Sequence, residues 1–182
     1  MSCPHCLDIA CNMGSICHVG FLADADDASF SPLASGPHKT TKKSSKRGVF
    51  ESEHLFPHAA LKLSGMQFRY QDEPTLSIPY GVHRNGQSGV GGGVTSTGSS
   101  STASGWSGHL GTLAQTDFPA ALRLAAIDQM NAHRVNRNFT NEVALQIMQV
   151  VNAHADLGRL TTQQASSLNN EIADYYYSQA PH

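Results

Sequence analysis

Six consecutive residues hold the densest chemistry in the chain: Glu53-His54-Leu55-Phe56-Pro57-His58. A further histidine, His83, follows in Ile78-Pro79-Tyr80-Gly81-Val82-His83, with Arg84 and Asn85 next to it. An imidazole titrates near neutrality, so each of these histidines is a candidate proton acceptor or metal ligand at cellular pH. His54 and His58 stand four residues apart, the spacing of two metal ligands on a helix in zinc peptidases. That chemistry also needs a glutamate directly after the first histidine, and Leu55 stands there. Pro57 would fall inside such a helix at a cost of about 3 kcal/mol. The peptidase is excluded. What remains is an acid and a histidine at the end of a strand with more histidines downstream. Side chains of these types can take a proton from water or hold a metal ion, the two roles that a hydrolysis needs.

The elements that position these residues follow from the pattern around them. Residues 49–55 read as an extended segment. Pro57 suits the first turn of a helix over 58–63, which Gly65 ends. Two more extended segments are expected at 66–70 and 76–80, separated by Asp72-Glu73-Pro74. From 85 to 105 the chain is almost wholly Gly, Ser and Thr, too poor in apolar groups to fold by itself, and is expected to be a mobile loop. Its GVGGGV run lacks the Lys-Ser/Thr of a phosphate loop. The last third is helical. Asp117 and Pro119 open one helix, Thr140 can cap a second that closes at Gly158, and Thr161 or Thr162 caps a third. His133 and His154 are expected at helix surfaces or boundaries.

The 182 residues carry 12 Lys and Arg against 14 Asp and Glu, a net charge of -2, which excludes nucleic-acid binding by bulk charge alone. No apolar run is long enough for a membrane span, so no membrane insertion is expected. Residues 1–20 hold all four cysteines, Cys3, Cys6, Cys11 and Cys17, beside His5 and His18. This segment could hold a structural Zn²⁺, form disulfides or keep reduced thiols. It lacks a cleavable secretory signal. Residues 21–48 read as a flexible basic linker ending in Lys39, Lys42, Lys43, Lys46 and Arg47, either a solvated tether or a source of phosphate contacts. A core over 49–115 and a helical region over 116–182 complete the expected organisation, an α+β fold.

The pair EHLFPH and IPYGVH resembles the opening of the ββα-metal nucleases of the HNH and endonuclease VII superfamily. More narrowly it resembles nuclease toxins of bacterial polymorphic toxin systems that begin on Glu-His and carry further histidines. The resemblance spans about residues 48–112. It implies a ββα-metal catalytic core with His54 as the general base. Glu53 and His83 would be metal ligands, His58 a ligand or phosphate contact, and His109 beside Trp106 a further ligand. The implied cofactor is one divalent ion: Mg²⁺, Mn²⁺, Ni²⁺ or Zn²⁺. Nucleic acid, DNA before RNA, would be contacted by Arg84, Lys42, Lys43, Lys46 and Arg47. The resemblance further implies synthesis in the bacterial cytoplasm, delivery into a target cell by a contact-dependent or type VI route, and a cognate immunity protein. Two other readings stand beside it. One is a non-enzymatic binding or assembly protein with a zinc-stabilised cysteine knuckle. The other is a zinc hydrolase acting on a substrate other than nucleic acid.

Overall fold

The computed structural model describes residues 35–44, 49–84, 101–135 and 140–179. All lie in one compact unit, Pro32–His182. The chain runs β1 (Ser35–Pro37), α1 (His38–Ser44), β2 (Phe50–His54), α2 (His58–Ser64), β3 (Pro74–Pro79), α3 (Tyr80–Arg84), α4 (Ser101–Ala114), α5 (Phe118–Val135), α6 (Asn141–Asp156) and α7 (Thr162–Gln179). This is an α+β fold with a small antiparallel sheet and a predominance of helix. The strand order is β1-β3-β2, so β3 is paired on both edges. Its register sets Glu53 opposite Leu76 and His54 opposite Thr75 on one side, and Gly36 opposite Thr75 on the other. β2, β3 and α3 form a ββα arrangement with α2 set between the two strands.

Three local expectations change. The segment read as a flexible linker is, over Ser35–Ser44, a strand and a helix. Its Gly, Pro and Lys content hid two buried side chains, His38 and Thr41, that fasten α1 to the sheet. Residues 66–70 form no strand. Met66, Phe68 and Tyr70 alternate as a strand would, yet both edges of β3 are already occupied, and the chain turns back through bonds from the Asp72 and Glu73 amides to the Arg69 carbonyl. Within the expected 85–105 loop, residues 101–105 belong to α4, while 85–100 lie outside the described residues. One glycine of α4 serves close packing: a Cβ at Gly111 would stand 2.6 Å from the Leu63 Cβ and 3.0 Å from the Ala60 carbonyl oxygen of α2.

The helical third follows its sequence signals. The Asp117 carboxylate accepts from the Ala120 amide and caps α5. Thr161 and Gln164 form a reciprocal capping box at the start of α7. Thr140 occupies the cap position of α6 but makes no side-chain bond to the helix amides. Gly158, at φ 72°, closes α6 with bonds from its own amide to Ala155 and from the Arg159 amide to His154, a Schellman motif. That turn aims Arg159 at the sheet. Its guanidinium grips both oxygens of Glu73, at 2.5 and 2.6 Å, and contacts His154 Nδ1 at 3.1 Å. His133 and His154 are each 1% exposed, not surface residues. His154 is buried because it fills the space between Phe118 and this ion pair. No helix of the described residues is long and apolar enough to cross a membrane.

Candidate active site

Strand alternation divides β2 into two faces. Glu51 and Glu53 point to one, Ser52 and His54 to the other. On the first face His83, carried by α3 directly after β3, is clamped between carboxylates. Its Nδ1 pairs with Glu51 and its Nε2 with Glu53. Burial alone would lower the His83 pKa, but the bonds and charges of Glu53 and then Glu51 outweigh it and raise the value. The two carboxylates thus favour the protonated ring.

The second face is built from α1, β2, α2 and the 66–73 segment. The His38 ring stacks on His54, with centroids 4.7 Å apart and planes at 24°. Tyr70 packs on both, at 4.6 and 4.9 Å, and on His58 at 4.8 Å. His58 also meets Phe68 edge-on. His54 bonds to the backbone of Tyr70. Its Nε2 is buried and has no hydrogen-bond partner, and the same holds for Nε2 of His38. Burial, and next the neighbouring His38, pushes the His54 pKa down to about 4. His38 is lowered by burial, then Lys42 and His58. His58 is lowered by burial and then Lys62, against a raising contribution from Glu73.

The expected site residues are thus only partly gathered. Glu53 and His83 touch, while His54 and His58 share the opposite face of β2, their rings 6.3 Å apart. His109 lies exposed on α4 with Trp106 as its ring neighbour at 6.0 Å. The four expected ligands Glu53, His58, His83 and His109 do not form one set, because period-two alternation sends the first and second histidine-bearing groups to opposite sides. Among the described residues, no three His, Cys, Asp or Glu side chains form a group that could hold a metal ion. Lys42 and Lys43 are exposed at the end of α1. Arg84 closes α3; Lys46, Arg47, Asn85 and the four cysteines lie outside the described residues.

Several residues of the site escaped sequence reasoning. Glu51 was legible as the same-face neighbour of Glu53, two positions back along a strand. His38 carried no local signal, since it sits at the mouth of a Gly-Pro turn before a run of lysines.

The chain was compared with models of protein families, with curated proteins and with solved structures. It matches none of them. What the site does must therefore be argued from its own geometry.

Proposed function

We propose that the chain is a metal-dependent nuclease that hydrolyses phosphodiester bonds, DNA before RNA, and acts as an antibacterial toxin. The observation that carries the reading is the state of His54. It bonds to the Tyr70 backbone, where only a carbonyl can receive an imidazole proton, and its buried Nε2 has no partner. The ring is thereby fixed with its proton on Nδ1 and a lone pair on Nε2. With a pKa of about 4 it stays neutral at pH 7. A neutral imidazole held in one tautomer is the proton acceptor that hydrolysis needs. His83 lies close enough for its charge to contribute to the lowered His54 pKa, so the two faces of β2 communicate at the strand end.

On the clamped face Glu53 and His83 could supply two of the ligands of a divalent ion, and substrate or solvent oxygens would have to supply the others. Glu53 and His83 would have to give up their mutual bond to hold it. Glu51, on Nδ1, is the carboxylate that metal-bound histidines usually have behind them. When bound, such an ion supplies positive charge for the phosphate and the departing oxygen. His58 and the exposed Lys42 and Lys43 would contact backbone phosphates. Delivery into a target cell and neutralisation by an immunity protein rest on the family resemblance of EHLFPH and IPYGVH.

Plasmid cleavage by the purified full chain tests the reading, with EDTA, Mg²⁺, Mn²⁺, Ni²⁺ and Zn²⁺ in parallel and structured RNA as a second substrate. Metal-dependent nicking that falls about 10²–10⁴-fold in His54→Ala is expected. A folded wild type inactive on both substrates, or a fully active His54→Ala, would end it.

A further inference from the structure

The segment between α2 and β3 carries the ring that touches every histidine of the second face. Tyr70 packs on His38, His54 and His58 at 4.6, 4.9 and 4.8 Å, and its backbone bonds His54. Residues 66–70 form no strand, so the place of Tyr70 depends on what fastens the segment at its two ends.

One side chain reaches both ends. Arg159 Nη2 donates to the Gln67 carbonyl at 3.2 Å and to Glu73 Oε1 at 2.6 Å, while Nη1 donates to Glu73 Oε2 at 2.5 Å. Gln67 stands three residues before Tyr70 and Glu73 three residues after it. A guanidinium is a rigid planar fork, so its bonds to the two ends fix the span between them. The fork is itself held in place. Nη1 also donates to His154 Nδ1 at 3.1 Å, and His154 meets Phe118 edge-on. Phe118 in turn meets Phe56, two residues after His54. From the other side, the amides of His38 and Lys39 bond the Glu73 and Gln71 carbonyls, each at 2.9 Å. The side chains of Arg159 and Glu73 are 9% and 3% exposed. Taking two charges out of water costs about as much as their attraction returns, so such a pair adds little stability over apolar residues of the same size. What it adds is direction, because apolar packing cannot hold a carboxylate and a carbonyl in one set geometry.

We infer that Arg159 is a positioning residue for His54: by holding both ends of segment 67–73 it seats Tyr70 on the histidine face and keeps the His54 imidazole in one orientation. The inference rests on the nuclease reading of that face. A base must meet its proton in a narrow geometry, and a displacement of about 1 Å can cost on the order of 10²-fold in rate. A loosened Tyr70 would let the His54 ring turn about its side-chain torsions, with every group assigned to the substrate still present.

Cleavage kinetics of the full chain test this, beside proton NMR of the same proteins in EDTA. Arg159→Lys keeps a positive charge beside Glu73 but has no fork with which to hold Gln67 as well. Glu73→Gln combined with Arg159→Met removes both charges and leaves neither buried alone. Leu168→Ala, in the buried part of α7, is the control for lost stability. Per folded molecule, both Arg159 variants should lower kcat roughly 10–10²-fold with KM little changed. Both should also lose the Tyr70–His54 ring contacts and exchange the His38 and Lys39 amides faster. Leu168→Ala should do neither. Ring contacts that persist in both variants overturn the inference whatever the activity. A wild-type kcat in both overturns the role of Arg159 and leaves the nuclease reading standing. Failure of both to fold does the same, since Arg159 would then be structural only. A wild type inactive on DNA and RNA overturns the nuclease reading, and the positioning role with it.

Discussion

The two faces of β2 solve the burial of histidine in opposite ways. On one, His83 keeps its charge because Glu51 and Glu53 bracket both ring nitrogens. On the other, burial disfavours the charged forms of His54 and His38, which bond instead to neutral groups, the Tyr70 backbone and the Ser52 hydroxyl. The difference comes from one feature of the sequence Phe50-Glu51-Ser52-Glu53-His54. Acids occupy every second position, so a single strand sorts anions to one side and a hydroxyl and an imidazole to the other. Adjacent residues in a strand are not partners, and Glu53 and His54 serve two different histidine sites.

Acid should separate the faces most strongly. His54 and His154, with folded pKa values of about 4 and 3, titrate near 6.5 when unfolded. Their pKa values are depressed, so stability is full above pH 6.5 and is lost as pH falls towards the folded values. At pH 5 the loss is on the order of 2 kcal/mol for each. His83 has the reverse sign. Its raised pKa contributes stability that is present below 6.5 and is lost as pH rises through the folded value. Urea titrations from pH 4.5 to 8 in EDTA would read this: His54→Leu should flatten the acid limb, and His83→Leu the alkaline one. Identical pH profiles for the two variants would break the contrast.

The clamped face can be probed by itself. Glu51→Gln keeps the shape of the clamp but removes the charge behind His83 Nδ1. Mn²⁺ affinity, followed by the electron paramagnetic resonance of the unbound ion, should fall about 10–100-fold. Glu53→Ala should abolish that binding, and unchanged affinity in both would remove the ion from this face. The smallest effect belongs to Thr75, whose hydroxyl bonds the Gly36 carbonyl. Thr75→Val deletes the donor to Gly36 at a position with no exposure and should cost about 1–2 kcal/mol in chemical denaturation. Mn²⁺ affinity should be unmoved.

How much of this was legible in the sequence varies with the range of the interaction. The α+β class and the capped helices over the last third were readable because caps and periodicity are local: Asp117, Thr161 and Gly158 each act within four or five residues of themselves. β2 and β3 were readable as extended segments between turn residues. α1 was not, since it is short, rich in Lys and stabilised by contacts made far along the chain to Ser52, Glu73 and Thr75. In the site, Glu53 and His83, singled out by their types, are in contact. His38 was invisible because its role depends on a stack with a residue sixteen positions later, reached only after β1 has joined the outer edge of β3. His154 was placed on a surface because its partner, Glu73, lies across the sheet and is met through Arg159.

Glu73 belongs to two layers at once. Its main-chain carbonyl receives the first amide of α1, that of His38, while its carboxylate holds the guanidinium projected by the turn after α6. A chain shortened to end before Gly158 would lose more than one helix. It would leave a buried carboxylate uncompensated beneath the loop that seats His38, a defect of about 3–5 kcal/mol when one partner of such a pair is missing. The expected boundary near residue 116 is therefore not a place where the protein can be divided. The half that carries the candidate site and the helical half should melt in a single cooperative transition, with the C-terminal helices as a condition for the shape of the site.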